Sequence, residues 1–350
     1  MPDGWGKMSR VKRPKDFLVH PVFLMAALLA LAAACQNEGG NDDGGMEAED
    51  FAADEAAEEA GGDDVVEEEA GEPELPACGP GEVASAVSVD EIRGTVEALL
   101  ALGDRSTYAG QQAASALLQD RLAGQGTPFE VLAYDWDGSP WTNLEITIQG
   151  SDLPGEIFAA GAHYDTDGPD IPGADDNASG TAGIVEIARV LSGCGYARTI
   201  RLILFSNEET GTEGSLAYVA AAAGRGDDIR AFLNLDMIGY GPPEEDLDVM
   251  TRPAYESLAG RVASTAEAWV PGFGVSTLIT ERCGCGDEWS FWSQGYPAAC
   301  LIEDYDADAC GPAGNPTYHT PDDDFDVLNL DLCASITRVT AAVLVSMADE

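Results

Sequence analysis

Two histidines and a set of acidic residues are the groups in this sequence that could bind a metal ion. Beyond residue 35 the sequence contains His163 and His319 as its only histidines. Carboxylates accompany them in five short motifs: GAHYDT (161–166), PGADDNASG (172–180), FSNEETG (205–211), NLDMIG (234–239) and YHTPDD (318–323). Imidazole and carboxylate groups are ligands of zinc, and a bound ion with an open coordination position activates water. These residue types therefore predict metal-assisted hydrolysis.

Each motif has an ordinary explanation when it is taken alone. A histidine at a strand end is usually packed or hydrogen-bonded, and adjacent acids such as Glu208 and Glu209 usually lie on a solvated surface. The motif at 172–180 could be a simple helix-capping turn. However, three of the motifs end apolar runs, which would leave His163, Glu209 and Asp236 at one rim of a sheet. Ionised groups are tolerated there when they are paired or bound to cations.

The elements that must position these residues alternate between strands and helices. Alternating or short apolar runs predict strands over 129–136, 143–150, 156–165, 199–207, 230–238 and 296–303. Helical spacing of apolar residues predicts helices over 89–102, 111–122, 181–191, 214–222, 254–267 and 334–347. This order predicts a single three-layer α/β/α domain with a mixed, largely parallel central sheet. In such a sheet the ligand site lies at the carboxyl ends of the strands.

The period of an extended strand suggests how the motif side chains are aimed. His163 and Asp165 would point to the same face, so the Asp165 carboxylate can fix the imidazole tautomer while the other ring nitrogen binds metal. Glu208 and Glu209 would point to opposite faces, so a bend at the strand end can aim one at metal and the other at water.

In order and wording, the five motifs resemble those of the co-catalytic zinc aminopeptidases of peptidase clan MH. That group also contains glutamate carboxypeptidase-like enzymes and the glutaminyl cyclases, and the resemblance covers roughly residues 88–348. It implies a zinc-exopeptidase fold and two zinc ions per chain. The implied ligands are His163 and Asp236 for the first ion, Glu209 and His319 for the second, and Asp176 bridging both.

The same resemblance implies the roles of three further residues. Glu208 would be the general base that takes a proton from water, and Asp165 would be the partner of His163. Tyr318 matches a position where some relatives place a phenol that stabilises the tetrahedral oxyanion.

One segment departs from the pattern that it resembles. GDEWSFWSQGYPA (286–298) is similar to the segment written SDHxxFxxxGxP, but Gly286 replaces its serine and Glu288 its histidine. That histidine is not a metal ligand in the family, so we expect zinc binding to be retained. Candidate pocket walls are Met237, Trp289, Phe291 and Trp292, for each of which an ordinary core position is the alternative.

The function implied by the resemblance is that of an aminopeptidase that removes apolar N-terminal residues from peptides. The wording EETGTEGS (208–215) resembles that of the aminopeptidases. A glutaminyl cyclase, with one zinc on the same scaffold, is the alternative enzyme. A carboxypeptidase acting on acidic C-termini is less favoured, because Arg282 is one of few cations near the expected pocket. A non-catalytic surface binding protein would be expected to lack a ligand or the base.

Charge and the N-terminal segment bear on location and partners. The net charge is −46, and residues 38–74 contain no Lys or Arg, which predicts a disordered acidic tether and argues against nucleic acid as a partner. Residues 1–35 read as an export signal whose LAAAC ending (31–35) resembles a bacterial lipobox. We therefore expect a signal over 1–35, a linker over 36–77 and a peptidase domain over 78–350. The expected product is a monomeric outer membrane lipoprotein, anchored through Cys35, with peptide substrates.

Seven cysteines follow Cys35, and in an exported protein they predict disulfides with at least one thiol left unpaired. Candidate pairs are Cys300 with Cys310 and Cys78 with Cys333, although the sequence leaves the connectivity open. The resemblance also points to Cys283 and Cys285, which sit where some relatives carry a disulfide with wider spacing beside the substrate pocket; a bridge at this spacing would be strained. The acidic loops at 303–310 and 321–326 are expected to be solvated, with calcium binding as the alternative.

Overall fold

A computed structural model of the protein describes residues 75–350 except 243–244, 285, 307–309 and 313. The predicted export signal over 1–35 lies outside these residues. So does the predicted linker over 36–77, apart from residues 75–77.

The centre of the domain is an eight-stranded sheet with the strand order β1-β2-β4-β3-β5-β8-β6-β7. Its strands are β1 Glu130–Trp136, β2 Ser139–Ile148, β3 Leu153–His163, β4 Arg198–Phe205, β5 Asp228–Leu235, β6 Leu247–Thr251, β7 Val275–Ile279 and β8 Ala298–Ile302. The pairs β4–β3, β3–β5 and β5–β8 at the centre of the sheet are parallel. The pairs β1–β2, β2–β4 and β6–β8 are antiparallel. The prediction of a mixed, largely parallel sheet is confirmed.

Helices cover both faces of this sheet and complete the three layers. They are α1 Pro80–Ala86, α2 Val89–Leu100, α3 Tyr108–Gly124, α4 Gly180–Leu191, α5 Glu213–Arg225, α6 Glu256–Trp269, α7 Glu288–Ser293 and α8 Leu330–Ala348. Side chains of α2, α4 and α8 belong to one hydrophobic cluster with one face of the sheet, and side chains of α5 and α7 belong to a second cluster with the other face.

The central strands are buried on both faces, as expected of parallel strands between helices. In β3, Ala160 and Ala162 belong to the cluster on one face, while Ile157 and Ala159 belong to the cluster on the other. Such strands form the interior of the domain, so polar side chains at their carboxyl ends are brought to one buried rim. By length and composition α8 could cross a membrane, but 72% of its most apolar window is buried in the domain.

Several elements differ from the prediction. The strands β6 and β7 and the helices α1 and α7 were not predicted, and neither was a hairpin formed by the two-residue strands β9 (Tyr305–Asp306) and β10 (Gly311–Pro312). β6 and β7 have only five residues each and carry little periodicity, whereas β8, of the same length, lies in the longer predicted segment 296–303. β6 also runs antiparallel to β8, which makes that end of the sheet mixed.

Disulfides join Cys78 to Cys194 and Cys283 to Cys310. The candidate pairs Cys300–Cys310 and Cys78–Cys333 were therefore wrong, and Cys283 is not bridged to its near neighbour Cys285. A bridge needs two Cα atoms a few ångströms apart, and the observed pairs have Cα separations of 5.6 and 5.3 Å, which chain order does not reveal.

The disulfides also bear on where the protein resides. Cys333 is a buried free thiol, in agreement with the odd cysteine count. Disulfides persist in oxidising compartments and are rare in the cytosol. The two disulfides therefore indicate an exported protein.

Candidate metal centre

The predicted site residues meet at the carboxyl ends of the parallel strands. His163 is the last residue of β3, and Asp236 directly follows β5. Glu208 and Glu209 lie in the turn after β4, whose parallel pairing with β3 brings the two strand ends together. Asp176 lies in the loop before α4, and His319 comes from the loop before α8. Five segments that are distant in sequence are thus brought to one place.

Asp176 lies between the two imidazoles. Its Oδ1 is 3.3 Å from Nε2 of His163, and its Oδ2 is 3.1 Å from Nε2 of His319. Asp236 Oδ1 lies 3.5 Å from the same nitrogen of His163, and Glu209 Oε2 lies 3.2 Å from that of His319. The five residues therefore form two groups of one imidazole and one carboxylate each, joined by the shared carboxylate of Asp176.

This donor set fits a pair of divalent ions. Ligand atoms of His163, Asp176 and Asp236 all lie within 4.8 Å of one another, and Nε2 of His319 lies 3.1 Å from Asp176 and 3.2 Å from Glu209. Oε1 of Glu209 is buried and has no hydrogen-bond partner among the described residues. A buried carboxylate oxygen without a partner is costly unless a cation or water satisfies it. Imidazole nitrogen with carboxylate oxygen is a combination typical of zinc sites.

The Asp165 carboxylate contacts three residues of the site. Its Oδ1 lies 3.4 Å from Nδ1 of His163, the contact that the strand period predicted. It also accepts hydrogen bonds from the main-chain N–H groups of Glu208, at 3.1 Å, and Glu209, at 3.2 Å. These two contacts were not predicted. One buried carboxylate therefore anchors the main chain of both glutamates and lies beside the imidazole, whose Nδ1 forms no hydrogen bond within the described residues.

Asp167 has a comparable position beside the second histidine and was missed by the sequence analysis. Its Oδ2 lies 3.5 Å from Nδ1 of His319, and its side chain is 42% exposed. The only signal in the sequence was its place two residues after Asp165, in a segment that turns away from the sheet.

Other acids fix the loop that carries Asp176 by accepting hydrogen bonds from main-chain N–H groups. Asp323 accepts the main-chain N–H groups of Asp175, at 2.9 Å, and Asp176, at 3.1 Å. Asp175 in turn accepts the N–H of Gly239 at 2.8 Å. Asp323 is 1% exposed, so the expectation of a solvated acidic loop was wrong for this residue. Gly173 has φ +64°, and a Cβ there would lie 2.4 Å from the Asp176 carbonyl, which requires glycine.

Three non-glycine residues with left-handed backbone lie at the site. They are Asn207, Met237 and His319, with φ of 57°, 55° and 55°. Such conformations persist where surrounding contacts determine them. Asn207 is held in this way, because Gln111 accepts its main-chain N–H at 3.2 Å and donates to its side chain at 3.1 Å.

Without bound cations, the buried acids and imidazoles perturb one another. Burial opposes the charged form of His319, but Asp176 and Glu209 outweigh this and raise its pKa to about 10. Burial likewise opposes ionisation of Asp176, yet hydrogen bonds from His163 and His319 lower its pKa below the usual range. Burial and the neighbouring Asp176 raise the pKa of Glu209 to about 7. Ions that bind here must displace protons from the imidazoles.

The surroundings of Glu208 strongly oppose its charge. Burial, together with the nearby charges of Asp236, Asp287 and Glu209, raises its pKa well above the usual range, against the opposing effect of His163. A carboxylate with a raised pKa is suited to proton transfer near neutral pH.

A cavity of about 120 Å³ lies above these residues. It is lined by these acids and imidazoles together with apolar groups of Met237, Ile302, Tyr305 and Pro312. Tyr318 lies at the rim, 38% exposed, with its ring stacked on that of His319 at 3.8 Å between centroids.

Only one of the four candidate pocket walls lines this cavity. Met237 does, whereas Phe291 is fully buried and stacks on Phe232 in the core with 3.7 Å between centroids. Trp292 is 4% exposed and donates to the Ala298 carbonyl. Trp289 is exposed on α7 and packs on Arg252. The aromatic residues of α7 are thus core and surface residues.

The departures at 286 and 288 have a structural explanation. A Cβ at Gly286 would lie 2.6 Å from Asp236 Oδ2 and 3.1 Å from Glu208 Oε1, so the serine of the resembling pattern would crowd both acids. Glu288 is fully buried and accepts hydrogen bonds from the N–H of Gly286 and the amide of Asn234, each at 3.1 Å. Glu288 therefore holds this segment and does not face the cavity.

Comparisons with known proteins agree with this geometry. The chain is 27% identical over 265 residues, 69% of each protein, to a probable leucine aminopeptidase of Arthroderma benhamiae. Its structure is similar to that of LapA from Legionella pneumophila, with a TM-score of 0.66 and 25% identity over 77% of this chain and 76% of that one. It is also similar to BSAP, a zinc aminopeptidase from Bacillus subtilis, with a TM-score of 0.54 and 26% identity over 61% of this chain and 52% of that one.

The family model described as Peptidase family M28 matches residues 143–344, a range that begins in β2 and ends in α8. This range is more than half of the chain and contains every residue of the metal centre described above. The chain therefore belongs to peptidase family M28 and is a hydrolase that acts on peptides.

Proposed function

We propose that this M28 peptidase is a two-zinc aminopeptidase that removes apolar N-terminal residues from peptides. The observation that carries the proposal is the position of Asp176, whose two carboxylate oxygens face two different imidazoles. A carboxylate shared in this way is suited to bridging two ions, one held with His163 and Asp236 and the other with Glu209 and His319. The similarity to a probable leucine aminopeptidase and to a zinc aminopeptidase supports the same assignment.

Two bound zinc ions would polarise the scissile carbonyl and lower the pKa of water at the site. The protein supplies the proton transfers. Glu208, which lines the cavity beside the proposed ligands, takes the proton from the attacking water and then gives it to the leaving amine. Because Asp165 accepts the N–H of Glu208, the main chain that carries this base is fixed relative to His163.

Tyr318 is positioned to stabilise the oxyanion that forms on the attacked carbonyl. Burial, with the nearby charges of Asp176, Asp236 and Glu209, raises the pKa of this phenol above its usual range, so it stays protonated and can donate a hydrogen bond. Its ring stacks on His319, which holds it at the cavity rim.

The cavity chemistry favours an N-terminus over a C-terminus. Among the described residues that line it are four acids (Asp176, Glu208, Glu209 and Asp236) and no lysine or arginine. Bound zinc would offset the charge of the three acids proposed as ligands, but among the described lining residues no lysine or arginine is present to pair with a C-terminal carboxylate, which supports an N-terminal substrate. The wall of Met237, Ile302 and Tyr305 offers apolar contact to one side chain of moderate size, which supports a preference for residues such as leucine or methionine.

We propose further that the exported enzyme works as a monomer attached to the bacterial outer membrane by a lipid on Cys35. The basic and apolar segment ending in LAAAC (31–35) supports this location. The strongly acidic composition, with a net charge of −46, supports peptides and not nucleic acid as partners. Mass spectrometry of the mature N-terminus tests the anchor, since an unmodified Cys35 or cleavage elsewhere would contradict it.

The experiment that tests the function combines metal analysis with a substrate panel. Zinc is counted per chain, and the enzyme is assayed with leucyl, methionyl, glutamyl and lysyl anilides and with an N-terminal glutaminyl peptide. We expect about two zinc ions per chain, fastest release from leucyl or methionyl substrates, and loss of activity on chelation. One zinc per chain with cyclisation of the glutaminyl peptide would instead identify a glutaminyl cyclase.

A further inference from the structure

Arg105 is a buried cation close to the candidate metal centre. It lies in the segment between α2 and α3, its side chain is fully buried, and it is among the largest fully buried side chains of the described residues. Neither the five motifs nor the proposed mechanism includes it. A buried guanidinium is costly unless its donors and its charge are satisfied, so its partners indicate its role.

The guanidinium donates to main-chain carbonyls of two segments that carry metal-centre residues. Its Nε donates to the carbonyl of Tyr164 at 3.0 Å. Its Nη1 and Nη2 donate to those of Pro172 and Gly173, each at 2.9 Å. Tyr164 lies between His163 and Asp165, and Gly173 begins the turn that leads to Asp176.

The charge of Arg105 interacts with carboxylates of the candidate metal centre and of the loop that supports it. Burial lowers its pKa to about 10, while Asp165, Asp323 and Asp176 oppose that fall, so the group remains protonated at neutral pH. Among the described residues its hydrogen bonds all go to main-chain carbonyl oxygens, which leaves these carboxylates free for the imidazoles and main-chain N–H groups described above.

We propose that Arg105 is a positioning residue of the metal centre. It fixes the end of β3, with His163, relative to the loop that carries Asp176, and thereby sets the affinity for the ion held by His163, Asp176 and Asp236. The inference rests on the proposed metal centre. The planar fork of arginine reaches both segments at once, whereas the single ammonium of lysine cannot span them in the same way.

The test measures metal binding directly and needs no turnover. Arg105→Met and Arg105→Lys are compared with the wild-type chain by chelator competition with zinc and by the absorption spectrum of bound Co²⁺. The control is Arg201→Met, which removes a half-buried arginine that pairs with Asp227 at 2.6 Å, away from the carbonyls of the site. Thermal melting of the metal-free chains is recorded alongside.

We expect Arg105→Met to weaken the tighter zinc site by about 10- to 100-fold, with a smaller loss for Arg105→Lys, as for other outer partners of metal ligands. The Co²⁺ spectrum should change in both variants and stay unchanged in Arg201→Met. In a third variant, Arg105→Ala, guanidinium ion added at millimolar concentration should restore part of the lost zinc affinity. If Arg105→Met does not fold, the charge-conserving lysine variant gives the same comparison.

Two results would overturn the proposal. One is a folded Arg105 variant with wild-type zinc affinity and an unchanged Co²⁺ spectrum. The other is an equal loss of affinity in Arg201→Met at equal loss of thermal stability, which would reduce the effect to general destabilisation. Failure of the proposed function is distinguishable, because in that case the wild-type chain would itself bind no zinc or Co²⁺.

Discussion

The candidate metal centre has two halves that share Asp176 but differ in how the protein holds them. The buried half consists of His163 and Asp236, with Asp165 behind the imidazole, and the side chains of His163 and Asp165 are each 1% exposed. The open half consists of His319 and Glu209, with Asp167 behind the imidazole. There the corresponding exposures are 31% for His319 and 42% for Asp167.

The difference follows from the elements that carry each half. The buried half is built on the ends of β3 and β5, in the most buried part of the sheet, whereas His319 comes from a loop. Groups on packed strands are held more closely than groups on exposed loops. The buried half is therefore suited to keeping an ion in place, and the open half lies where water and substrate reach the site.

Glu208→Gln tests the position of the base between the two halves and should have the largest effect on turnover. We expect kcat to fall by roughly 10³-fold, because the amide cannot accept the proton of water. Zinc content should stay at the wild-type value, since neither half uses this side chain as a ligand. Hydrolysis at the wild-type rate in the variant would remove Glu208 from the mechanism.

His163→Ala and His319→Ala compare the halves directly through zinc affinity. Losing a ligand should cost more than the 10- to 100-fold that loss of an outer partner costs. We expect His319→Ala to keep one tightly held zinc in the buried half, and His163→Ala to bind its remaining zinc more weakly. Titration with zinc under chelator competition measures both. Equal residual affinities would contradict the distinction between the halves.

Asp165→Asn and Asp167→Asn compare the residues behind the two imidazoles. We expect Asp165→Asn to lower zinc affinity by about 10- to 100-fold, and also kcat, because this carboxylate lies beside His163 and anchors the main chain of Glu208 and Glu209. Asp167→Asn should change either quantity by less than about 3-fold, since its charge is screened by solvent. Similar effects in both variants would mean that exposure does not set the importance of the outer partner.

The smallest expected effect is the pH dependence of the metal-free chain. His319 has a folded-state pKa of about 10, above its ordinary value, so its contribution to stability is fully present below about pH 6.5 and is lost as the pH rises towards 10. Glu209, whose pKa is raised from 4.5 to about 7, also loses its contribution as the pH rises, but mostly between about pH 4.5 and 7.

We therefore expect the melting temperature of the chelated chain to fall by roughly 5 °C between pH 6.5 and 9.5. The fall should be smaller in His319→Ala, where one of the two groups is absent. A melting temperature that rises over this range would show that the open half is not a source of the dependence.

The sequence was most informative where chemistry coincides with strand ends. The motifs around His163, Glu209 and Asp236 could be placed at one rim because apolar strands precede them and parallel strands end together. The core elements were also predicted, since long apolar patterns carry a strong period. The convergence of Asp176 and His319 was implied by the resemblance of their motifs, and the structure brings both to the same place.

What the sequence did not reveal depends on contacts with the main chain or on short elements. Arg105 lies in an unremarkable segment between two helices, and its partners are carbonyl groups, which leave no side-chain pattern. Asp323 belongs to the motif YHTPDD (318–323), yet its burial and its hydrogen bonds from the N–H groups of Asp175 and Asp176 could not be inferred from spacing. The disulfide partners of Cys78 and Cys310 likewise depend on a chain path that the sequence does not show.

The main-chain N–H groups of Glu208 and Glu209 both donate to Asp165. These two hydrogen bonds limit where this polypeptide can gain or lose residues during evolution or engineering. A one-residue slip between β4 and Glu208 would reverse which side chain faces the ions and detach both N–H groups from Asp165. Changes of length between the two segments are therefore expected only where the chain is exposed, as at Pro169, Asp170 and Gly193. Permuted or domain-inserted forms should use those positions.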